Sequence, residues 1–118
     1  MSFETVTLLE NISAVDTAYN YSDKKIGAGY HRKSSGLHTF QFELDNFNGT
    51  VKIQGTLELY PGDNDWVDLD FDSGSPLEAL DSTPLVTNAT RNITGNWLWI
   101  RAAYILEQGT ITKIRFSV

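Results

Sequence analysis

The sequence predicts an all-β protein: a single antiparallel β-sandwich, jelly-roll-like, with little or no helix. Three observations predict it. Side chains alternate apolar and polar over several runs, the period of strands that bury one face. The runs recur about every ten residues and are joined by Gly, Asn and Asp, the residues of tight turns. No helix-period segment of ten residues or more occurs in the 118 residues.

Residues 5–9 read as a strand, with 19–22 and 26–30 as weaker candidates. Residues 38–45 alternate cleanly, with Phe40, Phe42 and Leu44 on one side and Thr39, Gln41, Glu43 and Asp45 on the other. Asn46-Phe47-Asn48-Gly49 then supplies turn chemistry, since Asn and Gly accept positive φ. The next strand spans residues 50–60, with Val51, Ile53, Leu57 and Leu59 opposed to Thr50, Lys52, Gln54, Thr56 and Glu58. The two strands are expected to form an antiparallel hairpin. Gly55 stands in the apolar row, which marks a bulge or a close backbone approach.

Residues 61–65 read as a loop. Residues 66–72 alternate again, Val67, Leu69 and Phe71 against Asp68, Asp70 and Asp72. A looser stretch, 73–83, holds one short helical turn at 77–80 after Pro76. Residues 85–94 read as a short strand or two, kinked near Asn88. Residues 96–106 form a long strand, Leu98, Ile100 and Ala102 against Trp97, Trp99, Arg101 and Ala103. Glu107-Gln108-Gly109 turns the chain, and 110–118 closes it with Thr112, Ile114, Phe116 and Val118 on one face. A single open sheet would leave one face wet. The apolar groups on both faces of 96–106 therefore point to two layers, with an outer face that meets something. The expected organisation is one domain, 1–118, in which residues 1–33 form a partly extended N-terminal arm.

Composition narrows the function. With no cysteine, a disulfide framework, a thiolate metal site and a cysteine nucleophile are excluded. Nine Lys and Arg against 15 Asp and Glu give a net charge of −6. That argues against nucleic acid, which needs a cationic surface. No apolar run approaches the ~20 residues of a membrane-spanning helix. Met1-Ser2-Phe3-Glu4-Thr5 lacks the basic and hydrophobic regions of a secretory signal, so folding in a cytoplasm is expected. The sequons at Asn11, Asn20, Asn48, Asn88 and Asn92 then reflect a chain rich in turns and strands.

Nothing in the sequence is an enzyme signature. No P-loop and no dinucleotide fingerprint occur. Ser34-Ser35-Gly36 lacks the strand-to-helix context of a nucleophile elbow. Glu43 and Glu58 lie on neighbouring polar faces without a pocket, and His38 reads as a buried or strand-end histidine. Asp63, Asp65 and Asp68 are weak calcium candidates. An EF-hand frame begun at Asp68 fails, because Ser73 stands where Gly is required and Ala79 where Glu is required. Alternation with Val67, Leu69 and Phe71 makes Asp68, Asp70 and Asp72 a solvated strand face. No cofactor is expected.

The aromatic residues carry more. Trp97 and Trp99 fall on the face opposite the aliphatic row and share it with Arg101; Trp66, Tyr60 and Tyr104 lie on or near strands. Three readings are open: a doubly buried core strand, a subunit interface anchored by Trp, Tyr and Arg, or a platform on which sugar rings stack. Lys24, Lys25, Arg32 and Lys33 place four of the nine basic residues within ten positions, a solvated loop or a contact for an acidic partner.

Two stretches carry a resemblance. Gly49-Thr50-Val51-Lys52-Ile53-Gln54-Gly55-Thr56-Leu57 with Trp66-Val67-Asp68 is the first. Thr94-Gly95-Asn96-Trp97-Leu98-Trp99-Ile100-Arg101-Ala102 with Gly109-Thr110-Ile111-Thr112-Lys113-Ile114 is the second. In order and spacing they resemble a β-sandwich module of tailed-phage virion proteins, most of all small structural proteins of T4-like phages of marine cyanobacteria. The resemblance covers roughly residues 40–118 and departs from the pattern at 63–72. It implies a non-catalytic virion component of head (as decoration), neck, tail or fibre, assembling with itself and with other virion proteins as a homo-oligomer. It brings no catalytic residues. The alternative is a carbohydrate-binding β-sandwich module that contacts host polysaccharide.

Overall fold

The computed structural model describes residues 5–29, 36–69 and 87–117. Among them there is no helix, and the strands are antiparallel: β1 (Thr5–Ile12), β2 (Asn20–Tyr21), β3 (Lys25–Ile26), β4 (Leu37–Thr56), β5 (Val67–Leu69), β6 (Thr87–Thr94) and β7 (Trp99–Ser117). The expected helical turn at 77–80 lies outside the described residues.

All seven strands join one hydrogen-bonded sheet, built on a long ribbon of β4 against β7. One half of this ribbon pairs β4 residues 39–45 with β7 residues 110–117, flanked by β6 on β4 and β1 on β7. The other half pairs 48–56 with 99–108, flanked by β5 on β4 and by β2 and β3 on β7.

The ribbon cannot be straight. Twenty extended residues of β4 would span roughly 63 Å, yet the longest dimension of the molecule is 40 Å. The ends of β4 are also tied to each other through a short segment. The Gly95 N–H donates to the carbonyl of Gly36 at 2.9 Å, and the Leu98 N–H donates to that of Thr56 at 3.0 Å. Three residue steps reach at most about 11 Å, so the two ends of β4 lie within roughly 20 Å. The sheet is folded over on itself. The described strands form one hydrogen-bonded sheet, not the two stacked sheets of the expected sandwich.

The fold falls where turn chemistry meets turn chemistry. The ladder slips around Asp45, Asn48 and Gly49 on β4, with Asn48 opposite Gln108 on β7. Asn46 has φ 50° and Gly109 has φ 83°. A Cβ on Gly109 would collide with the Asn46 carbonyl, and one on Gly49 with the Ile105 carbonyl. The hairpin expected at residues 46–49, and the turn at 107–109, are therefore bulges facing each other. The same positive-φ residues that can reverse a chain here only bend it. The inserted residue swaps the buried parity. Phe40, Phe42 and Leu44 point inward before the corner, and Phe47, Val51 and Ile53 after it.

One core cluster fills the fold and draws on both halves, including Phe40, Phe42, Ile114 and Phe116 from one and Val51, Ile53, Ile100 and Leu106 from the other. The Phe40 and Phe116 rings stack at 5.3 Å. His38, fully buried, pins the open end: its Nε2 accepts from the Ala28 N–H at 2.9 Å, and its Nδ1 lies 3.1 Å from the Gly36 carbonyl. Since Nε2 must accept, the ring is neutral with its proton on Nδ1. Desolvation holds its pKa below the ordinary 6.5.

Strands are shorter than the alternation predicts wherever pairing stops. β4 ends at Thr56, so Leu57 and Leu59 are exposed instead of facing inward. β7 begins at Trp99, after residues 95–98 have crossed between the halves. β1, β2 and β3 pair with β7 of their own chain, which places residues 5–12, 20–21 and 25–26 in the sheet.

Candidate functional site

The outer surface of the β5–β4–β7–β2 half carries the densest array of functional side chains. Its order follows from pairing: Asp68 on β5 lies beside Gln54 on β4, Gln54 beside Arg101 on β7, and Tyr21 on β2 beside Ala103. Alternation turns these side chains away from the core, because their strand neighbours Ile53, Ile100 and Ala102 are fully buried.

Arg101 is the centre. Its guanidinium carbon lies 4.1 Å from the Tyr21 ring and 4.4 Å from the Trp66 ring. Its Nε donates to Gln54 Oε1 at 2.7 Å. Gln54 in turn donates through Nε2 to Asp68 Oδ1 at 2.8 Å, and Lys52 Nζ donates to Asp68 Oδ2 at 3.0 Å. Lys52 Nζ also sits 4.4 Å from the Tyr19 ring, and Lys24 Nζ 5.2 Å from the Trp99 ring. Three cations thus alternate with four rings across one face. Each such contact is worth about 0.5–2 kcal/mol, more as water is excluded.

Charge states follow from these contacts. The hydrogen bond from Gln54, and then that from Lys52, hold Asp68 below the ordinary carboxylate value. Burial is the largest single influence on Lys52 and opposes its charge, but the Asp68 hydrogen bond and charge, with Tyr19 and Tyr21, together outweigh it and the pKa rises. Burial lowers Arg101, while Tyr21 and Asp63 support its charge.

Beside Arg101 lies an open pocket of about 240 Å³. Ser22, Asp23 and Lys24 wall one side; Pro61, Asp63 and Trp66 wall the other. The loop behind the second wall is fixed by Asp65, whose Oδ2 accepts from the Gly62 N–H at 2.7 Å. Trp99 Nε1 anchors the same loop by donating to the Leu59 carbonyl at 3.0 Å.

The residues singled out in the sequence divide. Trp66, Arg101, Lys24 and Asp63 line the pocket, and Trp99 lies next to it beneath Lys24. Tyr60, in the adjoining loop, is 89% exposed. Trp97 does not share a face with Trp99: it lies before β7 begins and packs against the core, with Gly55 and Gly95 making room for its ring. Tyr104 is buried among core residues, and burial raises its pKa. Lys25 is on β3 opposite Ile100. Arg32 and Lys33 lie outside the described residues. Among the described residues no group of three or more His, Asp or Glu is placed to hold a metal ion. Both oxygens of Asp68, and one of Asp65, are already engaged.

Tyr19, Tyr21, Asp23, Lys52 and Gln54 were not singled out in the sequence. The two-residue spacing of Tyr19 and Tyr21, and of Lys52 and Gln54, was the available signal. It could not be read without the pairing of β2 and β4 with β7. The chain matches no protein-family profile, and no curated protein matches it at a significant level.

Proposed function

We propose that the chain is a non-catalytic structural protein of a phage particle that works by assembly with copies of itself or with other virion proteins. One observation carries this reading: the end of the sheet next to the ring-and-cation face exposes large apolar side chains together. Leu57 is 65% exposed, Leu59 48% and Val67 52%, alongside Tyr60. They lie on the loop that Trp99 anchors and on the strand it leads into. Clustered apolar side chains rimmed by charge mark a contact surface, and Tyr, Trp and Arg are its usual anchors. The likeness of residues 49–57, 66–68, 94–102 and 109–114 to virion β-sandwich modules gives the setting. A particle component is expected to be a symmetric homo-oligomer.

Light scattering of the purified chain tests the reading. The wild type should be a defined oligomer, and Leu57→Asp with Tyr60→Asp should shift it to monomer with unchanged melting temperature. A wild type that stays monomeric at every concentration, and also when mixed with other virion proteins, overturns it.

A further inference from the structure

The pocket beside Arg101 has a chemistry that assembly does not need. Four charged groups line it: Asp23, Lys24, Asp63 and Arg101. Among the described residues they form no ion pair with one another, and the Asp23 and Asp63 carboxylates have no hydrogen-bond partner. Arg101 spends its Nε on Gln54 and its faces on Tyr21 and Trp66, which leaves its terminal N–H groups without a partner among the described residues. The stacking and the Gln54–Asp68–Lys52 relay hold this donor fork in place before anything binds, so little side-chain freedom remains to be lost on binding. The site thus offers donors and acceptors side by side, and its lining is polar, with the Trp66 ring covered by Arg101.

The charges sum to zero. A phosphate or carboxylate would meet two carboxylates, and a metal cation would meet an arginine and a lysine. A neutral polyol satisfies both sets, because each hydroxyl both donates and accepts. The volume, below the ~300–1,000 Å³ of sites for drug-sized ligands, limits the occupant to about one ring.

We propose that this pocket binds one ring of a neutral saccharide, with Asp23 and Asp63 accepting from its hydroxyls and Arg101 and Lys24 donating to them. The proposal does not rest on assembly, and it uses neither Leu57 nor Tyr60.

Titration of the full chain with glucose, galactose, mannose and N-acetylglucosamine at millimolar concentrations, followed by amide and indole NMR shifts, tests it. At least one sugar should give saturable shifts at Trp66, Asp23 and Asp63. Asp63→Asn and Asp23→Asn should each weaken binding about tenfold, with melting temperature and oligomer mass unchanged. Leu57→Asp should leave the sugar shifts intact, which separates this site from the assembly surface. Absence of saturable shifts with all four sugars overturns the proposal. So does binding that survives both aspartate substitutions, or tighter binding of glucuronate or inorganic phosphate than of any neutral sugar.

Discussion

Gly109 and Asn46 meet at the corner of the folded sheet so closely that no side chain fits between them. A Cβ on Gly109 would run into the Asn46 carbonyl, and both residues have positive φ, 83° and 50°. Gly109→Ala should therefore cost at least ~2 kcal/mol, the left-handed penalty plus backbone displacement. Gly62→Ala is the control, since a Cβ there meets only Asp65 Oδ2 at 3.5 Å; it should change stability by no more than about 0.5 kcal/mol. Urea unfolding of both variants gives the comparison. Equal midpoints would mean that the corner does not depend on Gly109.

This corner marks the limit of what the sequence discloses. Alternation correctly assigns Phe40, Phe42, Leu44, Val51 and Ile53 to the interior. It also exposes an extra residue between the two runs. It does not say whether that residue reverses the chain or bends it, because hairpins and bulges use the same positive-φ residues. The decision belongs to β7, which pairs with both halves of β4 from more than forty residues away. Trp97 and Trp99 fail for a related reason. Parity holds only while pairing lasts, and β7 starts at Trp99. The Arg101 site was half legible: Trp66, Trp99 and Arg101 stand out by type, whereas Tyr21 and Gln54 join them only through strand order.

The buried His38 predicts an acid-sensitive fold. Its pKa lies below 6.5 in the folded chain because burial disfavours the imidazolium. Between that lowered value and 6.5 the unfolded chain holds the extra proton, so stability is full above about pH 6.5 and falls as pH drops below it. For this one group the slope cannot exceed about 1.4 kcal/mol per pH unit. Asp68, with its lowered value, loses its contribution only below about 3.8, in a separate window. His38→Phe should flatten the slope in the upper window while leaving the Ala28 N–H unpaired, at about 1–3 kcal/mol. His31 is present in both proteins and cancels in the difference. Parallel pH profiles for the two would reject the assignment.

Gly55 earns its place in the apolar row through a neighbour. A Cβ there would stand 2.9 Å from Leu69 Cδ1 and 2.9 Å from Trp97 Cδ2. The leucine end can swing aside, but the indole is rigid and already packed between Gly55 and Gly95. Gly55→Ala should cost about 1–3 kcal/mol, as overpacking does, and should perturb the near-ultraviolet dichroism of Trp97. Unchanged stability together with an unchanged spectrum would show that the indole has room to move.

The planarity of Arg101, more than its charge, is what the outer face uses. Tyr21 and Trp66 approach the guanidinium within 4.1 and 4.4 Å, and Gln54 takes its Nε. A lysine keeps the charge but has neither the flat faces nor the fork. Arg101→Lys should therefore recover less than half of the ~1–2 kcal/mol lost in Arg101→Met, and it should leave Gln54 Oε1 without its donor. A double-mutant cycle of Arg101→Met with Trp66→Leu separates stacking from charge. Coupling of about 0.5 kcal/mol or more is expected, with little dependence on salt, because the contact lies within the side-chain stack and not across open solvent. Full rescue by lysine, or coupling that vanishes at high salt, would show that plain electrostatics hold the face together.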